Sequence, residues 1–309
     1  DAKLFIHPLG NLKPLKFIQV LRKIYRLVKR IRPDVIRSYD PSLRGAIAVS
    51  MGRLFKIPVV ISLHSHLDEQ RRYDRSLALR FRKLFEYFSI HFADIVICVS
   101  CHVKEYASRY GPRQVEVIYN GIDLEQFNVT RERGFSQKTV ILSVGRLEKP
   151  KFQECLIRAV KDLNVELVLI GNGPEFGRYV QLIKELHIQE KIKFIKAVPN
   201  NLIHKYYAAA EIFAMATHYE GFCIPLIEAL ASGLPIVASN IPAIKEIIGD
   251  AGLLVYNKPE NFSNKIKLLL DSPVLYNSLA EKSRKRAILY DIKPLAQRQK
   301  EIYASIIKS

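Results

Sequence analysis

Two glutamates eight positions apart, Glu220 and Glu228, bracket the start of a predicted helix. The apolar run Ile212–Met215 reads as a strand and Ala216–Phe222 as the loop that follows it. Pro225 suits a first helical turn, and the helix runs to Ala231 before Gly233-Leu234-Pro235 stops it. Both carboxylates therefore face the crevice at the strand ends. A helix N-terminus there favours anions, and its backbone N–H groups attract phosphate. Carboxylates accept hydrogen bonds from sugar hydroxyls, so the pair suits a ligand with hydroxyls and phosphates. On spacing alone, two surface glutamates would give the same pattern.

A second element is Val144-Gly145-Arg146-Leu147-Glu148-Lys149-Pro150-Lys151, between a buried-type strand and a helix. Gly145 lets the backbone turn tightly. Arg146, by its fork, and Lys151, as a point charge, would clamp a diphosphate and stabilise the charge that develops as a glycosidic bond to phosphate breaks. The alternative is two solvated loop cations. Gly171-Asn172-Gly173-Pro174 is a further strand-to-helix turn at the same edge. His64 and His66 end the strand Pro58–Leu63, on the crevice side of its sheet. Two histidines without a third nearby ligand argue against a metal site. The sequence has no Asp-x-Asp pair, no Gly-x-x-x-x-Gly-Lys-[Ser/Thr] loop, no Gly-x-Ser-x-Gly elbow and no Gly-x-Gly-x-x-Gly fingerprint.

Strands and helices in alternation must hold these groups. Short apolar runs at 35–38, 58–63, 95–100, 115–119, 140–144, 166–170, 192–195, 212–215 and 236–238 read as strands. Helical patterns fill most gaps: 14–32, 43–55, 76–91, 101–109, 152–162, 175–187, 202–208, 225–232, 242–248, 260–270 and 276–288. This rhythm predicts parallel sheets covered by helices on both faces. The polar stretch Gln126–Lys138 lacks periodicity, and the rhythm restarts at Val140. Two such sheets in tandem leave a cleft between their strand ends, where ligands of this architecture bind.

The 309 residues suit two domains, and 49% apolar with 25% charged residues is a globular composition. No apolar run reaches the length of a membrane-spanning helix. Four cysteines are too few for a disulfide scaffold, and Cys98-Val-Ser-Cys101 lacks the second pair of a zinc site. They read as buried thiols in a reducing cytoplasm. Net charge is +18, and residues 1–125 carry 22 Lys and Arg against 12 Asp and Glu. Such a field favours anionic partners.

The densest cluster is Leu15–Arg32. Leu15, Ile18, Leu21, Ile24, Val28 and Ile31 line one helical face, while Lys16, Arg22, Lys23, Arg26, Lys29 and Arg30 fall elsewhere. It reads either as a solvated amphipathic helix or as a dock on anionic lipid head groups. A second cluster holds Arg71, Arg72, Arg75, Arg80, Arg82 and Lys83. Nucleic acid is not expected, because no aromatics interleave with these charges.

Glu220-Gly221-Phe222-Cys223-Ile224-Pro225-Leu226-Ile227-Glu228 resembles the Glu-x7-Glu motif of retaining glycosyltransferases of family 4. Gly145-Arg146-Leu147 with Lys151 resembles that family's diphosphate element. Gly171-Asn172-Gly173-Pro174 resembles its Gly-Asp-Gly-Pro turn. Val117-Ile118-Tyr119-Asn120-Gly121-Ile122-Asp123 with Phe127 resembles its interdomain segment. These matches run in family order within residues 34–256.

The resemblance implies an α/β fold of the GT-B type, with two Rossmann-like domains and a cleft between them. The domains would be 1–125, on the acceptor side, and 126–290, which binds the nucleotide sugar. Residues 291–309 would form a helix crossing back to the first domain, with its break at Pro294. Arg146 and Lys151 would hold the donor diphosphate, with Gly145, Gly171 and Asn172 beside them. Glu220 would contact the transferred sugar, and Glu228 the ribose. Phe222, Cys223 and Ile224 would offer backbone N–H groups near sugar and phosphate, and His64 would approach the reacting centre. The segment Ile195–Val198, including Ala197 and Val198, would border the base.

The implied reaction moves a sugar from a UDP- or GDP-linked donor to an acceptor hydroxyl with retention. No metal or other cofactor is implied. The acceptor would be a glycan or lipid-linked, as in surface glycan or glycolipid synthesis, and the protein cytoplasmic and peripheral on the inner face of the cell membrane. A nucleotide-sugar epimerase or a non-catalytic sugar-nucleotide binder are the alternatives.

Three departures stand out. Phe152 occupies the position after the lysine where Gly or Asn is frequent. Cys223 replaces a frequent Gly and would place a thiol beside the donor sugar. The family's first strands and Gly-rich loop have no counterpart, and Asp1–Pro8 resembles a strand well inside the first domain. On that resemblance the first domain is incomplete by roughly 60–90 residues. The chain alone is therefore expected to be poorly stable and weakly active.

Overall fold

The computed structural model describes residues 17–73, 78–128 and 138–307. Among the described residues ten strands form two wholly parallel sheets. The first contains β1 (Ile36–Ser38), β2 (Val59–Leu63), β3 (Ile95–Cys98) and β4 (Val115–Val117), in that spatial order. The second contains β5 (Thr139–Val144), β6 (Val165–Ile170), β7 (Ile192–Ile195), β8 (Ile212–Met215), β9 (Ile236–Ser239) and β10 (Gly252–Val255). Its spatial order is β10-β9-β8-β5-β6-β7. The chain thus builds outward from β5 to β7, then returns to β5's other side with β8. That reversal opens a crevice between the ends of β5 and β8.

The helices are α1 (Phe17–Ile31), α2 (Leu43–Phe55), α3 (Leu67–Tyr73), α4 (Ala78–Phe92), α5 (Cys101–Ser108), α6 (Leu124–Phe127) and α7 (Gln153–Ala159). They continue as α8 (Phe176–Glu185), α9 (Ile203–Ala208), α10 (Ile224–Ala231), α11 (Pro242–Ile248), α12 (Pro259–Asp271), α13 (Pro273–Ala287) and α14 (Ile292–Ile307). Their ends carry recognisable stops. Ser100 accepts a hydrogen bond from Val103 N at 3.2 Å to cap α5. Pro225 sits in the first turn of α10, and Gly233 follows it with φ of +66°.

Central strands are buried on both faces, as their continuous Val/Ile/Leu composition requires. Each fully buried Ile or Leu side chain contributes about 1.5–3 kcal/mol. One core joins Leu142, Phe213, Leu226 and Tyr207 on one face of the second sheet. Another joins Ile141, Leu167, Leu156 and Phe262 on the other. Leu295, Ile302, Tyr303 and Ile306 of α14 pack on Val60, Ile95 and Ile97 of the first sheet and on Ile118 just after β4. The last helix therefore lies against the N-terminal half. Pro294 sits inside its first turn, so the break falls earlier, at Ile288–Asp291. There Ile122 N donates to Tyr290 O at 2.9 Å and Ile292 N to Ile122 O at 3.0 Å.

Three elements escaped the periodicity: α3, the one-turn α6 and the edge strand β10. Asp1–Pro8 and Lys16 lie outside the described residues, as does Arg75. Arg71 is not part of a solvated cluster. It pairs with Asp68 at 2.6 Å and with buried Glu86, which also accepts from Tyr106 Oη at 2.9 Å. The cysteines divide too: Cys98, Cys155 and Cys223 are buried, but Cys101 is exposed.

Candidate active site

The candidate residues gather at the carboxyl ends of β5, β6, β7 and β8. Gly145 N extends the ladder to Ile170 O at 2.9 Å, and Gly171 N to Ile195 O at 2.8 Å. Leu147 N then donates to Asn172 O at 3.0 Å, zipping the two strand-end loops together. Only glycine fits this contact. A Cβ on Gly171, where φ is +146°, would lie 2.0 Å from the Gly145 carbonyl oxygen. One on Gly173 would lie 2.3 Å from the Leu147 carbonyl oxygen. Ala197 and Val198 follow β7 at the same edge, the first exposed and the second half-buried.

The loop after β5 carries Lys151 across to the loop after β8. Pro150 O accepts from His218 N at 2.8 Å and lies 3.1 Å from the hydroxyl of buried Thr217. The Lys151 ammonium hydrogen-bonds the Glu220 carboxylate. Burial pushes the Glu220 carboxyl up, against the pull of Lys151 and Thr217. Burial pulls Lys151 down, but Glu220 and its neighbours outweigh that and raise it, so the ammonium stays charged. These residues lie 69 positions apart, and the β5–β8 reversal joins them.

Phe152 shows why Gly or Asn suits the position after the lysine. Its backbone is left-handed, with φ of +40° and ψ of +38°. A residue with a Cβ pays about 1–2 kcal/mol there. Its ring packs on His218 at 4.6 Å between centroids.

Glu220–Phe222 also abuts the first sheet. A Cβ on Gly221 would lie 2.2 Å from His64 O, and Ser100 Oγ donates to Gly221 O at 2.9 Å. The strand ends of the two sheets therefore face each other. Phe222 stacks on Tyr119 at 6.0 Å and meets Tyr290 edge-to-face at 5.9 Å. His64 is exposed at this rim, its ring 5.5 Å from that of Tyr39. Desolvation by the flanking protein, then the charge of Arg37, lowers its pKa. A neutral imidazole results near neutral pH.

Not every expected group converges. Arg146 is 75% exposed and pairs with Glu148 at 2.7 Å, so its guanidinium is not at Glu220. Gln153 holds only its carbonyl, at 2.8 Å. Glu228, half-buried, accepts from Tyr207 Oη at 2.6 Å. Burial raises its pKa, and the Tyr207 hydrogen bond opposes that. The Cys223 thiol is not an accessible group beside a ligand. It is buried, 3.1 Å from Met215 Sδ, and burial pushes its pKa up. Ile224 is exposed at the start of α10. An apolar hollow lined by Val140, Val168, Ile195 and Tyr206 contains none of the candidate side chains.

Sequence reasoning missed three groups. Tyr207 is a buried core aromatic whose hydroxyl reaches Glu228, and no motif marked it. Glu246 of α11 accepts from Cys101 N at 2.6 Å and His102 N at 3.1 Å, and so seats the second sheet's unit on the N-terminus of α5. His66 does not pair with His64. It joins Glu69 and His102, so the expectation of no third nearby ligand is corrected. Only the His-x-x-Glu spacing of His66 and Glu69 hinted at this.

Two parallel sheets facing each other by their strand ends, with paired loops at a reversal of strand order, define a two-lobed α/β protein, an architecture whose ligands lie at such strand ends. The sequence matches the model described as Glycosyl transferases group 1 over residues 126–286 and that of Glycosyltransferase Family 4 over residues 4–126. The chain belongs to this family of glycosyltransferases and has the GT-B fold.

It is 36% identical over 187 residues to the N-acetylgalactosamine-N,N'-diacetylbacillosaminyl-diphospho-undecaprenol 4-alpha-N-acetylgalactosaminyltransferase of Campylobacter jejuni, covering 58% of this chain and 51% of that protein. It is 25% identical over 313 residues to the alpha-monoglucosyldiacylglycerol synthase of Streptococcus pneumoniae, covering 93% and 70%. The chain thus spans about half the length of the first relative. Sucrose-phosphate synthase of Thermosynechococcus elongatus superposes with a TM-score of 0.82 at 21% identity, covering 98% of this chain and 82% of that one. HepE of Anabaena, in complex with UDP and glucose, superposes with a TM-score of 0.82 at 21% identity, covering 96% and 84%.

Proposed function

We propose that this protein transfers a sugar from a UDP- or GDP-linked donor to an acceptor hydroxyl with retention of anomeric configuration. The observation that carries this reading is the Lys151–Glu220 pair at the β5–β8 reversal, beside strand-end loops whose glycines let the backbones pack together. A donor diphosphate placed there meets the Lys151 ammonium, which Glu220 aims. Arg146, free of burial, swings from Glu148 to the same phosphates. Glu228 accepts from the ribose hydroxyls in the orientation Tyr207 imposes. Phe222, Cys223 and Ile224 offer backbone, and Ala197 and Val198 border the base.

As the C1–O bond to phosphate breaks, the new bond from the acceptor oxygen to C1 forms on the same face. The acceptor proton passes to the departing phosphate oxygen. Arg146 and Lys151 stabilise the charge on that diphosphate, so the step needs no metal in this reading. Neutral His64 lines the acceptor side and can hydrogen-bond a sugar hydroxyl.

The names of the two relatives support a lipid-linked acceptor, and the UDP and glucose held by HepE support the donor class. Exposed Arg22, Lys23, Arg26, Lys29 and Arg30 on α1 support docking on an anionic membrane surface from the cytoplasmic side. Among the described residues no helix is long and apolar enough to cross a membrane. Nothing in the site or the relatives favours the epimerase or the non-catalytic reading.

The test is nucleoside diphosphate release with and without acceptor, by wild type and Glu220→Gln. Acceptor-dependent release that falls about 10²-fold in the variant is expected. Acceptor-independent sugar interconversion, or a variant as fast as wild type, overturns the reading.

A further inference from the structure

We propose that His66, Glu69 and His102 form a binding site for one divalent transition-metal ion of the zinc type, apart from the diphosphate site. His66 leaves β2 and opens α3, where its carbonyl accepts from Glu69 N at 3.1 Å. That turn brings the Glu69 carboxylate beside the ring. His102, second in α5, arrives from the end of β3, the strand next to β2. One ring nitrogen of each histidine and one Glu69 oxygen lie within 4.8 Å of one another.

Around a tetrahedral zinc with bonds of about 2.0–2.1 Å, neighbouring ligand atoms are roughly 3.3 Å apart. The edge from His102 Nε2 to Glu69 Oε1 is 3.1 Å, close to that length already. His66, whose ring is stacked on that of His102, needs to approach by no more than about 1.5 Å.

An independent observation points to a ligand. His66 is 6% exposed, and its Nδ1 has no hydrogen-bond partner among the described residues. An unsatisfied buried polar atom is costly, and native structures rarely leave one without a reason. With Nδ1 as the His66 ligand atom, a metal bond would supply the missing partner. Two imidazoles and one carboxylate suit zinc and leave a fourth position for water. The Glu69 and His102 side chains are 22% and 12% exposed, so the ion would be enclosed but reachable.

Such an ion would clip the β2–α3 turn to the start of α5. His64 lies two residues from one ligand, and the Glu246 carboxylate holds the amide of another. The site would thus fix the acceptor-side rim and the seat between the two units. It stands whether or not the donor assignment does.

The experiment is cobalt(II) titration of the full chain after chelator treatment, followed by zinc competition. One equivalent with the ligand-field absorption of low-coordinate cobalt is expected, displaced by one equivalent of zinc. Losing a metal's outer-shell partner costs 10–100-fold in affinity, so losing a direct ligand costs at least about tenfold. Glu69→Gln and His102→Gln should each do so, while the double substitution Cys98→Ser, Cys101→Ser leaves binding unchanged. Melting in chelator identifies any variant that fails to fold, and the other is then read. Zinc in excess should also raise the wild-type melting temperature. Absence of saturable one-equivalent binding overturns the proposal. So does binding that survives substitution of both ligands or disappears with the cysteines.

Discussion

Tyr207→Phe isolates one hydroxyl. The ring is fully buried, edge-to-face with Phe127 and stacked on Phe213, at 5.7 and 5.9 Å. Phenylalanine keeps those contacts, so the fold should persist. What disappears is the 2.6 Å hydrogen bond to Glu228 Oε2, with a weaker 3.3 Å one to Pro225 O. A hydrogen bond to a charged group contributes about 1.5–3 kcal/mol, and about 1.4 kcal/mol is a factor of ten. If that bond is what points Glu228 at the ribose, nucleotide affinity should fall about tenfold or more. The hydroxyl also opposes the burial that raises the Glu228 pKa, so its loss raises that pKa further. A group whose folded pKa is raised stabilises the fold below its unfolded pKa and loses that contribution as pH rises through the folded one. The variant's deficit in stability should therefore grow from acid toward neutral pH. Calorimetric titration with UDP and GDP, against Glu228→Gln, measures the effect. The turnover number at saturating donor should stay within about threefold, since the ribose is remote from the breaking bond. Wild-type affinity in Tyr207→Phe alongside weak binding in Glu228→Gln would refute the orienting role.

Other perturbations test the remaining contacts. Gly171→Ala drives a Cβ to 2.0 Å from the Gly145 carbonyl and should lower unfolding free energy by more than about 2 kcal/mol in urea melts. Gly177→Ala is the control, since its Cβ meets nothing within 4 Å and a helical alanine is favoured by about 0.5–1 kcal/mol. Glu246→Ala removes the carboxylate from the α5 amides and should cost about 1–2 kcal/mol, and superimposable melts would count against that seat. If neutral His64 serves the acceptor side, the acid limb of kcat/KM lies below its ordinary value of 6.5, because desolvation by the flanking protein and the charge of Arg37 lower its pKa. An acid limb above that value would be contrary. Vesicle flotation should recover more protein on anionic than on neutral lipid, with equal recovery removing the membrane role of α1.

Much of the architecture was legible from local pattern. Buried parallel strands must be apolar on both faces, so β2, β3, β5, β6 and β8 announced themselves as Val/Ile/Leu runs. Helices between them followed from three- and four-residue apolar spacing. The glycines at 171 and 173 were readable as turns, because backbone close to backbone leaves no room for a Cβ, whereas Gly145, also read as a tight turn, has room for one. Edge strand β10 and the one-turn α6 gave no such signal, since half-exposed or very short segments carry little periodicity.

What the linear order alone determined was which groups lie at strand ends: Lys151, Glu220, Glu228 and His64. Which of them meet was decided only by the order of strands in the sheets. The β5–β8 reversal joins Lys151 to Glu220, while Arg146 turns to Glu148. The adjacency of β2 and β3 carries His66 and Glu69 to His102, and facing strand ends put Glu246 on the amides of α5. Those contacts join residues from 33 to 145 positions apart. Side-chain chemistry and local periodicity act over a few residues, and nothing at that range encodes which distant strand becomes a neighbour.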